Sequence, residues 1–216
     1  MSIVCARPRG ASRLLLIRHA ETAETSRDRC YGSLDVELSP AGHRVAETLA
    51  TLLAAESIHQ LISSPRQRAL QTVAPLAAKL DKHVTPDERL REIDFGTFEG
   101  RTYDELRESE PELYAQWMEQ PTAIRFPGGE SYGDLRGRAV EVVGTLPADT
   151  TTAVVTHGGV VRALLADALG LPDSHIFRLG VDYASVSIVD RLEDTAIVRC
   201  VNVVPLASES VQRSRA

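Results

Sequence analysis

Cysteine is scarce in this chain and badly arranged for a framework. Cys5, Cys30 and Cys200 are odd in number, and no CxxC pair occurs. A disulfide scaffold and a zinc site are therefore poorly supported, and a reducing compartment, the cytoplasm, fits best. Long basic runs are also missing. The formal net charge is −6, and no stretch of Lys and Arg could follow a nucleic-acid backbone, so nucleic acid and anionic membrane are poor partners. A small anionic substrate is still open, because local cations in one cleft outweigh a global charge. No apolar stretch is long enough to span a bilayer. The first residues are basic, contain Pro8 and Gly10, and lack the continuous apolar core of a signal peptide. Residues 1–12 and the Ser- and Arg-rich residues 207–216 are expected to be flexible tails. There is no internal repeat.

What is present is an ordinary globular composition, 43% hydrophobic and 25% charged over 216 residues, enough for one sizeable domain. The chain is organised around Leu14-Leu15-Leu16-Ile17-Arg18-His19-Ala20-Glu21. Four apolar residues in a row predict a strand buried on both faces. It stops at a cation, an imidazole and a carboxylate, as strands do where open α/β sheets build sites. Arg18 beside His19 suits a phosphate: a guanidinium forks onto two oxygens while an imidazole attacks phosphorus.

The rest alternates. A long polar loop runs from Thr22 to Leu38. Ser39-Pro40 starts a helix, with Val45, Leu49, Leu52 and Leu53 on one face. A strand over Ile58 to Ser63 follows. Ser64-Pro65 repeats the cap-plus-proline start of a helix, within which Pro75 predicts a kink. A brief strand near His83 to Thr85 leads to a loop carrying Glu92, Asp94 and Glu99. Two short helices broken at Pro111 are read as a lid. After the Pro127-Gly128-Gly129 turn comes a helix with Leu135, Ala139, Val143 and Leu146 inward. Thr151 to Thr156 is a strand that ends in His157-Gly158-Gly159, followed by a buried helix. Ala184 to Asp190 and Ala196 to Val204 read as a hairpin. This pattern predicts an α/β fold, a three-layer α/β/α sandwich with a mainly parallel sheet. One domain is expected over 13–206, its lid around 101–130. Parallel crossovers gather strand carboxyl ends at one edge, so His19 and His157 can meet.

A histidine nucleophile needs a fixed tautomer, donors for the phosphoryl oxygens, and an acid for the leaving group. Arg18 and an arginine in the first turn after Ser64 are the candidate cations, joined by His157 if it is protonated beside the phosphate, with Gly158 presenting a backbone N–H. Arg66 competes with Arg68. Glu92 is the best acid, ahead of Asp94, Glu99 and Glu21, since a carboxyl facing a bound anion keeps its proton. His43, His59, His83 and His175 have no comparable context.

Six segments in order resemble the histidine phosphatase superfamily, the phosphoglycerate mutase-like group, from about Leu14 to Asn202. They are Leu-Ile-Arg18-His19-Ala20-Glu21-Thr22, Tyr31-Gly32 through Ser39-Pro40-Ala41-Gly42, and Ser63-Ser64-Pro65-Arg66-Gln67-Arg68-Ala69. Then come Leu90-Arg91-Glu92-Ile93-Asp94-Phe95-Gly96, Pro127-Gly128-Gly129-Glu130-Ser131, and Thr156-His157-Gly158-Gly159-Val160. The resemblance implies a phosphoglycerate mutase-like fold, His19 as phosphorylated nucleophile and Glu92 as proton donor. It implies Arg18, Arg68 and His157 on the phosphoryl group, and selects Arg68 over Arg66. It also implies Tyr31, Gly32 and Gly158 in the substrate pocket, and no metal or cofactor. Two positions depart from the pattern. Ala20 stands where Gly is commonest, and would be strained at positive φ. Thr25 stands where many members have Asn, with a shorter reach for the phosphate.

The expected activity is hydrolysis of a small phosphorylated metabolite, because the segment from Arg101 to Arg125 is short and acidic where the mutases carry a longer, more basic insertion. Phe177-Arg178 to Asp182 with Val201-Asn202 is similar to α-ribazole phosphatases. The alternatives are mutase-type phosphoryl transfer and a non-catalytic phosphate-binding module, though the latter would lack the nucleophile or the acid. A homodimer through an edge strand is left open.

Overall fold

The computed structural model describes residues 6–23 and 28–205. The predicted Leu-rich strand is β1 (Ser12–Arg18), buried along nearly its whole length. Its alternation divides the core. Leu14 and Leu16 join one apolar cluster and Leu15 and Ile17 the other, because successive side chains leave opposite faces of a strand.

The second cluster is closed by α1 (Pro40–Leu53) and α2 (Gln67–Leu80). The first is closed by α5 (Tyr132–Gly144) and α6 (Gly158–Leu169). Between them lies a six-stranded sheet. Its remaining strands are β2 (Gln60–Ser63), β3 (Val84–Pro86), β4 (Thr151–Thr156), β5 (Val186–Arg191) and β6 (Ala196–Val203). The order is β3-β2-β4-β1-β5-β6. β1, β2, β3 and β4 are parallel, while β5 runs antiparallel to β1 and to β6. This is the expected three-layer α/β/α sandwich with a mainly parallel sheet.

Register delivers the chemistry. Arg18 pairs with Thr156, and Ser63 with Val155. The residues that follow, His19, His157 and Ser64, therefore leave three neighbouring strands at the same edge. Backbone bonds extend the ladder one step, from His19 N–H to the Thr156 carbonyl at 2.8 Å and from Ser64 N–H to the Val155 carbonyl at 2.9 Å.

Two short helices, α3 (Tyr103–Ser109) and α4 (Pro111–Glu119), break at Pro111 and pack on a third apolar cluster that includes Phe98, Leu106, Trp117 and Phe126.

Local readings differ in three places. Leu52 is exposed, and α1 instead buries Gly42, Ala46, Leu49, Ala50 and Leu53. Ser39 does cap it, accepting from Gly42 N–H. Ser64-Pro65 does not start α2: Arg66 holds the cap position without a side-chain bond, and the Ser64 hydroxyl lies 3.4 Å from the Arg66 nitrogen and 2.8 Å from Nε2 of His157. Pro75 sits inside α2, as the helical spacing around it implied. Residues 6–12 of the expected tail are tied down, Arg7 to the Asp149 carbonyl and Gly10 N–H to its carboxylate. Ser12 lies in β1. Residues 1–5 and 206–216 lie outside the described residues. No helix is long and apolar enough to cross a membrane among the described residues.

Candidate active site

His19 is 2% exposed. Its Nδ1 lies 2.8 Å from the carbonyl of Ala20, which can only accept, so Nδ1 carries the proton and Nε2 keeps its lone pair. Burial first, then the charges of Arg68 and Arg18, hold its pKa well below the ordinary histidine value. The ring is thus a neutral imidazole, ready to attack. Ala20 N–H donates to the Thr72 hydroxyl at 2.9 Å. Ala20 is not among the positive-φ residues, so it stands in place of the commoner Gly without strain.

Arg18 donates from Nη1 to the Val181 carbonyl at 2.7 Å and lies 3.9 Å from the centroid of the Tyr183 ring. Its Nε is buried without a hydrogen-bond partner among the described residues. An unpaired buried N–H of a cation is costly, and an anion relieves that cost. The loop carrying Val181 and Tyr183 is pinned from β6, where Asn202 bonds both the backbone and the carboxylate of Asp182.

Arg68 is wholly buried. It donates to the carbonyls of Leu34, Tyr31 and Gly32 and, through Nε, to Nδ1 of His157 at 3.2 Å. The other ring nitrogen of His157 lies 2.8 Å from the Ser64 hydroxyl. Nδ1 therefore accepts and Nε2–H donates. Burial and the charge of Arg68 hold this histidine, too, far below its ordinary pKa. His157 is therefore neutral in this structure and accepts from Arg68; it was expected as a cation only beside a bound phosphate. The two imidazole rings sit edge to face, 5.2 Å apart. Arg66 is half-buried nearby, its Nε without a partner among the described residues.

Glu92 is held from two sides. Its Oε2 accepts from Gly159 N–H and its Oε1 from Ile93 N–H, each at 3.0 Å. Its competitors are committed elsewhere. Glu99 braces the backbone N–H groups of Ser33 and Phe95, Asp94 that of Gly96, and Glu21 the Ser39 hydroxyl.

Tyr31 and Tyr183 share a hydroxyl–hydroxyl bond of 2.8 Å. Burial, with that bond, pushes the Tyr31 phenol up to about 12, so it stays protonated. Arg18, Tyr31, Tyr103 and Tyr183 help line a cavity of about 780 Å³. Gly32 is not among the residues that line it; a Cβ there would be 1.7 Å from the Ile93 carbonyl, so the loop packs only with glycine at this position. Gly158 is pressed against Arg18 and Arg162. Thr25 lies outside the described residues. No group of three or more His, Cys, Asp or Glu is placed to hold a metal ion among the described residues.

Three residues escaped the sequence reading. Gly159 takes no side chain because its Cβ would be 2.3 Å from Glu92 Oε1. Arg138, on α5, holds the acid's loop by bonds to the carbonyls of Arg89 and Glu92 and a paired contact with Glu130. Arg162, on α6, stands beside both Arg18 and Glu92. The doubled glycine after His157 was the one available signal.

A family model described as the histidine phosphatase superfamily (branch 1) matches residues 14–204. A bifunctional protein of Mycobacterium tuberculosis is 39% identical over 198 residues, 88% of this chain and 54% of its own. The chain thus spans about half the length of the first curated relatives it matches. Phosphoserine phosphatase 1 of Hydrogenobacter thermophilus is 32% identical, with 88% of this chain and 92% of its own covered. Among solved structures, the α-ribazole phosphatase of Shigella flexneri superposes with a TM-score of 0.81 at 26% identity, covering 92% of this chain and all of the other.

Proposed function

The chain belongs to the histidine phosphatase superfamily, and on that premise we propose that it hydrolyses a small phosphate monoester, without a metal ion, through a phosphohistidine on His19. One observation carries the reading. A buried imidazole, with Nδ1 committed to the Ala20 carbonyl, lies next to an arginine whose buried Nε has no partner among the described residues.

Nε2 of His19 attacks phosphorus as the bond to the ester oxygen breaks, and the departing oxygen takes a proton from Glu92. Arg18 and Arg68 neutralise the phosphoryl oxygens, and His157 keeps Arg68 oriented. Water then attacks phosphorus and gives its proton to the Glu92 carboxylate. The P–N bond breaks, and inorganic phosphate leaves with His19 neutral again.

The resemblance to the Shigella flexneri protein supports α-ribazole 5′-phosphate, an ester of an alcohol with an uncharged planar base. The Hydrogenobacter relative supports O-phosphoserine, whose alcohol carries a carboxylate. A cytoplasmic setting is part of this proposal, supported by an odd number of cysteines with no CxxC pair.

The test is phosphate release, without added metal, from both of these esters and 3-phosphoglycerate, with His19→Ala beside the wild type. Release that vanishes in the variant is expected. Interconversion of phosphoglycerate isomers without free phosphate would favour a mutase. Binding without turnover would favour a phosphate-ligand module.

A further inference from the structure

Arg162 is a cation beside the site to which the phosphoryl chemistry gives no task. Its Nε donates to the Leu179 carbonyl at 3.1 Å, and the guanidinium lies 5.4 Å from the Phe177 ring centroid. Its terminal nitrogens have no hydrogen-bond or ion-pair partner among the described residues. Yet it is crowded by a like charge. A Cβ on Gly158 would lie 3.2 Å from Arg162 Nη1 and 3.5 Å from Arg18 Nε, so two guanidinium groups flank one glycine. Burial and Arg18 push the Arg162 pKa down, against the pull of Glu92. An incoming anion would relieve this crowding.

The place where that anion would sit is constrained. Arg162 and Glu92 share the walls of a cavity of about 220 Å³, completed by Trp117, Phe126, Tyr132 and Phe177 among others. The acid has to reach the leaving oxygen, so the alcohol half of the ester occupies the cavity that Glu92 lines.

We propose that this cavity is the leaving-group subsite and that Arg162 selects phosphate esters whose alcohol carries a carboxylate. The inference rests on the roles given above to His19 and Glu92. A guanidinium binds a carboxylate through two parallel N–H bonds, and the aromatic walls exclude water around the pair.

The experiment uses matched esters that differ in the carboxylate: 3-phosphoglycerate against glycerol 3-phosphate, and O-phosphoserine against phosphoethanolamine. In the wild type, kcat/KM is expected to favour the carboxylate member of each pair by tenfold or more. Arg162→Met should cost the carboxylate members at least tenfold more than their partners, chiefly through KM, and Arg162→Lys should restore part of it. Equal losses within each pair, or a wild type that prefers α-ribazole 5′-phosphate to both acids, would overturn the proposal while leaving the phosphatase reading intact. A wild type that hydrolyses none of these esters, or a His19→Ala variant that still does, would remove both.

Discussion

Nε of Arg68 donates to Nδ1 of His157 over 3.2 Å, and this bond decides the charge of the histidine. The nitrogen that would have to be protonated in an imidazolium is already an acceptor. The arginine's remaining bonds run to the carbonyls of Tyr31, Gly32 and Leu34, which only a planar fork can serve together. Arg68→Lys keeps the charge and loses the fork. Its kcat/KM is expected to fall at least 100-fold, and unfolding in urea should show a loss of about 2–3 kcal/mol, from buried carbonyls left without donors. A lysine variant within threefold of wild type would show that charge alone suffices.

Glu92 is positioned by a glycine it touches. In Gly159→Ala the new methyl would fall 2.3 Å from Oε1, so the carboxyl must move and its bond to Gly159 N–H is lost. Glu92→Gln removes the proton itself. Both variants are expected to slow alkyl phosphates 100-fold or more. p-Nitrophenyl phosphate, whose leaving group needs no proton, should slow by tenfold or less. Equal losses on the two kinds of ester would mean that Glu92 binds and does not protonate.

How much of this was legible in the sequence depended on whether a residue acts through its own chain neighbours or through distant ones. The Leu14 to Ile17 run could be read because a strand buried on both faces leaves no polar position, and strand ends mark a sheet edge by connectivity alone. Ser64-Pro65 misled because a cap signal is local, while the Ser64 hydroxyl is shared between the Arg66 N–H and His157 on another strand. Arg138 was hidden for the same reason: its carbonyl partners lie 46 to 49 residues away. Gly159 and Gly32 earn their place through close approach and not through turn conformation, and no sequence pattern reports the distance to a neighbouring loop.

The two buried imidazoles also set the response to acid. An unfolded histidine titrates near pH 6.5, whereas His19 and His157 are held neutral well below that. As pH falls through about 6.5, the unfolded chain binds protons that the folded chain refuses, so stability falls. The loss is about 1.4 kcal/mol per pH unit for each group, and it continues down to the depressed folded values. Urea midpoints at pH 7.5 and 5.5 measure it, and His157→Asn should reduce the difference by about half. The acidic limb of kcat/KM should likewise lie below pH 6.5, because His19 keeps its lone pair there. A limb centred at 6.5 or above would contradict the burial argument.

Far from the chemistry, β1 is tied to the hairpin strands by a buried carboxylate. Asp190, wholly buried on β5, accepts two bonds from Arg13, at 2.6 and 2.7 Å, and one from Arg199 at 2.8 Å. Burial works to raise its pKa, but the bonds from Arg13 and Arg199 outweigh it and hold the carboxyl below the ordinary aspartate value. Its contribution is therefore present above the unfolded pKa of about 3.9 and is lost as pH falls through the lower folded value, a window separate from that of the histidines. Asp190→Ala leaves the charge of Arg13, 5% exposed, without this carboxylate, and should cost about 3–5 kcal/mol. Asp190→Asn keeps one acceptor oxygen and should cost less. β1 ends in Arg18 and His19, so loss of this anchor should reach the active site as reduced stability, with KM little changed in the fraction that stays folded. A variant that is fully stable yet has lost its activity would mean that the pair positions the nucleophile directly, and that the strand does not act as the rigid element assumed here.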